Sequence, residues 1–147
     1  MNDLTPESLD EPRPKKLYSV KQIVVATFLG SPLAGGITLA ENFRNLGNEA
    51  YAKYSMQFGF VLTAVVFWLA FVLPENTPNS LLPAAYCGLY LFLTNKYQAA
   101  DISAHFEAGG AKQSHWRVAG VGIACLVGIF VLMFVLILLF PGWFPEE

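Results

Sequence analysis

Four stretches of the chain are rich in apolar side chains and contain no charged residue: 23–40, 58–73, 81–93 and 118–140. A helix needs about 20 such residues to cross a bilayer, and the fourth stretch is long enough. The third is short, but its helical pattern continues through polar residues as far as Gly109-Gly110. The pattern therefore predicts four hydrophobic helices.

The two halves of the chain repeat one order of features. Each half has an apolar helix with a polar extension, a glycine stop at Gly47 or Gly109, and a second apolar helix that ends at Pro74 or Pro141. This order predicts an all-α, polytopic helical membrane protein built as two tandem helical hairpins. Any two hairpins share such a pattern, so the repeat leaves true duplication open.

Composition supports the membrane class. Hydrophobic residues make up 54% of the 147 residues and charged residues only 14%, whereas a soluble domain carries about a quarter charged residues. Four spans use roughly 80 residues, which leaves no room for a separate soluble catalytic domain. We predict a mobile polar tail over residues 1–19 and a single helical transmembrane domain over 20–147.

The basic residues indicate the orientation, because Lys and Arg favour the cytoplasmic side of short loops. They lie before the first apolar segment and in the connections 41–54 and 95–117, and none lies in the 74–80 turn or in 141–147. We therefore expect both connections to be cytoplasmic and the turn and the C-terminus to lie outside. Four full spans would leave the bases of the N-terminal region on the outer side.

The first apolar segment is interrupted by Gly30-Ser31-Pro32, and two courses are open to it. A re-entrant segment that folds back there would keep every base inside, but its non-helical backbone needs cover from other helices. A kinked helix of full length is favoured slightly by small side chains that recur every four residues through the interruption: Ala26, Gly30, Ala34 and Thr38.

Small residues mark candidate helix-packing faces. They are Ala26, Gly30 and Ala34 in the first helix and Gly120, Ala124 and Gly128 in the last. Small side chains let two backbones approach closely inside a bilayer. Packing within one chain is the preferred interpretation, and a homo-oligomer interface is the alternative.

The third helix carries a polar stripe at spacings of three and four residues, formed by Thr94, Gln98, Asp101 and His105. We expect this stripe to face the polar extension of the first helix and to pair there with Glu41, Asn42, Arg44 and Asn45 at a cytoplasmic rim. Asp101 with Arg44 is the ion pair we favour. A metal or catalytic site at Asp101 and His105 is a weaker alternative, because a metal needs three or four ligands.

Enzyme motifs for metalloproteases, serine hydrolases and nucleotide-binding loops are missing, and the apolar stretches hold no ionisable group of the kind that proton-coupled carriers use. We therefore predict no catalytic residue, no metal, no cofactor and no nucleic-acid partner.

The stretch Ala26-Thr-Phe-Leu-Gly-Ser-Pro-Leu-Ala-Gly-Gly36, followed by Asn42-Phe-Arg-Asn-Leu-Gly47, resembles a small, uncharacterised family of bacterial integral membrane proteins. The similarity extends over most of the hydrophobic chain, including the connection from Gly109-Gly110 to Trp116. The resemblance implies a bacterial membrane location and assigns no activity, and we expect that membrane to be the inner membrane.

These observations favour a non-enzymatic membrane protein that acts through protein–protein interaction, as an accessory subunit or an immunity-type protein. Its expected partners are the lipid bilayer and either another membrane protein or further copies of itself. A small oligomeric channel or transporter is the first alternative. A metal-dependent membrane enzyme that uses Asp101 and His105 is the second.

Overall fold

The computed structural model describes residues 15–143, and its secondary structure is helical apart from one short strand pair. The elements are β1 (Lys16–Leu17), α1 (Val20–Asn45), α2 (Glu49–Val72), α3 (Leu81–Tyr97), α4 (Ala99–Glu107), β2 (Ala111–Lys112), α5 (His115–Leu139) and a 3-10 turn (Pro141–Trp143). The predicted all-α class is confirmed. Helices α1, α2 and α5 are long and apolar enough to cross a membrane.

Helix α1 is folded back on itself at the Gly30-Ser31-Pro32 interruption. The backbone N–H of Tyr18, just before α1, donates to Oδ1 of Asn42 near its end, over 2.8 Å. The same 24 residues in one straight helix would span about 36 Å. The two arms of α1, on either side of Ser31, therefore form a hairpin, and the preference for a kinked full-length helix is wrong.

Local chemistry explains why the chain turns at this point. Ser31 has φ 74° and ψ 176°, a region of backbone conformation that is nearly exclusive to glycine. Its Oγ accepts from the N–H of Leu33 at 3.4 Å, and Pro32 occupies the first position of the second arm, where its missing N–H costs nothing. Tyr90 of α3 donates its hydroxyl to the Pro32 carbonyl at 2.7 Å, which pairs a buried backbone group at the turn.

The α1 hairpin forms the centre of the fold, and α2, α3 and α5 each pack against it. Close contact depends on glycines, because a Cβ added at Gly36 would lie 2.8 Å from the Cα of Gly59 on α2. A Cβ at Gly30 would lie 2.7 Å from the Cα of Gly122 on α5. This arrangement differs from two tandem hairpins, since α2, α3 and α5 surround α1 and each packs mainly against it. Direct ring contacts such as Phe58 with Tyr90 also join α2 to α3.

Glycine caps end two of the helices as the sequence predicts. Gly47 and Gly109 both have positive φ, at 83° and 80°. In each case the glycine N–H and the next N–H bond back to carbonyls of the last helical turn, as in a Schellman motif. The third helix, however, does not run unbroken to Gly109, because Gln98 has φ −130° and separates α3 from α4.

The α1 hairpin fills only one half of the bundle. Along the described helices no residue of α2 beyond Gly59, of α3 before Tyr90, or of α5 beyond Cys125 is buried. We call this exposed part the far half. The opposite end, formed by residues 15–22, 41–54 and 95–117, is called the polar rim.

Candidate functional site

The polar rim collects the Lys and Arg residues of the described chain. They lie at the two ends of α1, in the first turns of α2 and α5, in the last turn of α3, and in the strand pair with its flanks: Lys15, Lys16, Lys21, Arg44, Lys53, Lys96, Lys112 and Arg117. The hairpin course of α1 is what brings the residues before α1 to this end. The basic residues of the described chain are thus confined to one end of the bundle.

Asn42 is the most connected side chain of the rim and is fully buried. Its amide pairs with both the N–H and the C=O of Tyr18, at 2.8 and 2.9 Å, and its Nδ2 also donates to Oε1 of Gln98 at 3.2 Å. Gln98 in turn donates from Nε2 to the carbonyl of Leu39 at 3.0 Å. One asparagine therefore joins the residues before α1 to both α1 and α3.

Tyr18, Glu41 and Arg117 form a second cluster beside Asn42. The Tyr18 hydroxyl donates to Glu41 at 2.9 Å and accepts from Nε of Arg117 at 3.1 Å, while Nη2 of Arg117 contacts Glu41 at 2.7 Å. Burial of the phenol, more than its neighbours, raises the pKa of Tyr18 to about 12, so the hydroxyl keeps its proton. Since Arg117 is half exposed, this ion pair contributes at most about 1 kcal/mol.

A third set of bonds fixes the connection between α4 and α5. The buried Gln22 donates from Nε2 to the carbonyl of Gln113 at 2.7 Å and forms a capping box with Ser19 at the start of α1. Beside it β1 and β2 pair in parallel, with Lys16 opposite Ala111. Leu17 and Tyr18 are buried, so residues 16–18 are packed within the rim although the sequence places them in a mobile tail. Residues 1–14 of that tail lie outside the described part.

The predicted polar stripe divides at Gln98. Thr94 and Gln98 are buried, and Gln98 accepts from Nδ2 of Asn42 on α1. Asp101 is exposed, and His105 contacts the carbonyl of Ala111 through Nε2 at 3.0 Å. The break between α3 and α4 interrupts the helical period, so Asp101 and His105 do not continue the face of Thr94.

The other predicted rim residues pair differently from expectation. Arg44 contacts Glu49 of α2 at 3.4 Å, so the expected pair of Arg44 with Asp101 is not formed. Asn45 donates to the carbonyl of Lys16 at 2.9 Å, and Glu41 contacts Arg117. Within residues 15–143 no three His, Cys, Asp or Glu side chains are grouped closely enough to hold a metal ion.

The small-residue faces have different surroundings. Ala26, Gly30 and Ala34 are buried within the chain, where Gly30 meets Gly122 of α5. Gly120, Ala124 and Gly128 are exposed, and nothing lies within 4 Å of a Cβ added at either glycine. We call Gly120, Ala124 and Gly128 the outward face of α5.

Sequence reasoning missed several residues of this rim: Tyr18, Gln22, Gln113 and Arg117. The spacing of Ser19 and Gln22 matches a capping box and could have located the start of α1. Nothing local indicates Gln113 or Arg117, because their partners are 91 and 76 residues away in the chain. Comparisons with known protein families, with curated proteins and with solved structures found no match to this chain.

Proposed function

We propose that this protein is a non-enzymatic integral membrane protein that acts by binding another membrane protein or a second copy of itself. The observation that carries this proposal is the outward face of α5, where small residues recur every four positions on an exposed helix. Small residues at such spacing are enriched where membrane helices associate. An accessory or immunity-type subunit needs a face of this kind.

The pairing of the rim supports a structural role for its polar side chains. Within the described chain no buried side-chain nitrogen or oxygen lacks a hydrogen-bond partner. The buried polar groups of Tyr18, Asn42 and Gln98 hydrogen-bond to one another, and these bonds hold the fold together at the rim. The exposed apolar helices then supply the surface for contact with another membrane protein or a second copy.

We expect an Ala124→Cys variant, in a background with Cys87→Ala and Cys125→Ala, to crosslink in membranes. A thiol-reactive bifunctional reagent should give a band at twice the chain mass for a homo-oligomer, or an adduct of another mass for a different partner. Leu126→Cys is the matched control, since Leu126 is exposed but about 160° away around the helix. Equal crosslinking of both variants, or of neither, would contradict the proposal.

A channel or transporter formed by several copies is the second candidate, and the α1 hairpin favours it. Transport proteins commonly place helices that are broken at mid-membrane depth beside the path of the substrate. The turn at Ser31 lies where the far half begins. Further along the far half, a cleft of about 420 Å³ lies between the end of α2 and the start of α3, lined in part by Glu75, Thr77 and Tyr86. Ion flux in liposomes that contain the purified protein would favour this candidate.

We further propose a bacterial inner-membrane location in which α2, α3 and α5 cross the bilayer. The α1 hairpin would then enter from the cytoplasmic side and return to it. This topology places the N-terminal bases and the 41–54 and 95–117 connections in the cytoplasm and the 74–80 turn and the C-terminus outside. The segregation of Lys and Arg at the polar rim supports it, although residues 144–147 lie outside the described part.

Cysteine labelling of intact cells should show on which side of the membrane each end of the bundle lies. In the cysteine-free background, Lys15→Cys should be protected from a membrane-impermeant maleimide and should react only after permeabilisation. Asn79→Cys, also an exposed position and in the 74–80 turn, should react at once. Immediate labelling of Lys15→Cys would overturn the re-entrant topology.

A further inference from the structure

A groove of about 220 Å³ runs between the first arm of α1 and the start of α5, and neither Arg44 nor Lys53 lines it. Its mouth carries Lys21, Lys112 and His115, and no acidic residue lines it. Among residues 15–143 the ion pairs are Arg44 with Glu49 and Arg117 with Glu41, so both lysines of the groove lack a carboxylate partner there.

The interior of the groove is apolar. Lys21, Val25 and Leu29 follow one another at spacings of four along α1, and Val118 and Ala119 form the opposite wall on α5. The groove closes where Leu29 contacts Gly122. A Cβ atom added to Gly122 would lie 2.9 Å from the Cβ of Leu29. From Lys21 to Leu29 the helix rises about 12 Å, so the groove is basic at the rim and apolar toward the bundle centre.

We infer that this groove binds an anionic phospholipid, with the phosphate at Lys21, Lys112 and His115 and an acyl chain along Val25 and Ala119. Charge complementarity at the mouth and the apolar interior match the two parts of one lipid molecule, and basic pockets between helices at the cytoplasmic face suit anionic headgroups. The inference depends on the proposed membrane location and is independent of the outward face of α5.

The test is a titration of the full-length protein in mild detergent, with lipid occupancy measured by native mass spectrometry. Dioleoyl phosphatidylglycerol should bind more tightly than dioleoyl phosphatidylcholine. A Lys21→Gln/Lys112→Gln variant should bind phosphatidylglycerol about 10- to 30-fold more weakly, because each lysine near an anionic surface contributes roughly a three- to fivefold factor. The matched control is Lys53→Gln/Lys96→Gln, which removes the same charge from exposed rim positions outside the groove.

The outcomes separate the possible occupants. Equal weakening in the control would show a general attraction between the rim and anionic lipid and would overturn the site. A second variant, Ala119→Phe, should weaken lipid binding while it keeps every charge, whereas unchanged binding would mean that no acyl chain enters the groove. Stabilisation by inorganic phosphate equal to that by the lipid would assign the site to a free anion. Absence of phosphatidylglycerol binding by the unaltered protein would overturn the inference.

Discussion

Replacement of Asn42 by leucine is expected to give the largest loss of stability among single substitutions at the rim. Leucine has nearly the same shape but cannot bond to Tyr18 or Gln98, so two buried backbone groups and one amide oxygen lose their partners. Each unpaired buried group costs about 1–3 kcal/mol, and the expected total is about 3 kcal/mol or more. The thermal midpoint in detergent should fall by about 10 °C for a chain of this length.

Asn45→Leu is the matched control for this substitution. Asn45 lies less than one turn further along α1 and donates a single exposed hydrogen bond, to the carbonyl of Lys16. Its replacement should cost less than about 1 kcal/mol, because water can pair the released carbonyl. A midpoint for Asn42→Leu that equals that of Asn45→Leu would show that Asn42 does not hold the two ends of α1 together.

The second large effect is expected at Gly36. An added methyl group would lie 2.8 Å from both the Cα of Gly59 and the carbonyl oxygen of Ser55, and neither backbone atom can move without displacement of α2. Overpacking of this kind costs about 1–3 kcal/mol. Gly36→Ala should therefore lower the thermal midpoint by several degrees, although alanine is the better helix former.

Gly88→Ala gives the matched comparison, because Gly88 lies within α3 and nothing is within 4 Å of its added Cβ. There the substitution should be neutral or should stabilise the helix by up to about 1 kcal/mol. Opposite signs at Gly36 and Gly88 are the expected result. Equal midpoints for the two alanine variants would show that α1 and α2 are not in close contact at Gly36 and Gly59.

The polar residues of the rim were only partly predictable. Gln98 and Asn42 are hydrogen-bonded at the polar rim. The side chains of Asp101 and His105 do not hydrogen-bond to Asn42 or Gln98. The backbone of Gln98 is not helical, so the residues after it no longer lie on the helix face that carries Thr94. Arg44 contacts Glu49 instead of Asp101. The chain turns at the Gly47 cap, and this turn places the start of α2 beside Arg44.

The sequence by itself determined the helical class, the segments apolar enough for a membrane, the glycine stops at Gly47 and Gly109, and the concentration of bases outside the 74–80 turn. These are local properties, set by side-chain polarity and by the backbone freedom of single residues. The tertiary structure alone decided the course of α1. Gly30-Ser31-Pro32 is compatible with either a kink or a turn, because glycine and proline interrupt a helix without fixing the direction of the next segment. The hydrogen bonds of Asn42 with Tyr18, between residues far apart in sequence, select the hairpin and bring the two ends of α1 to one polar rim.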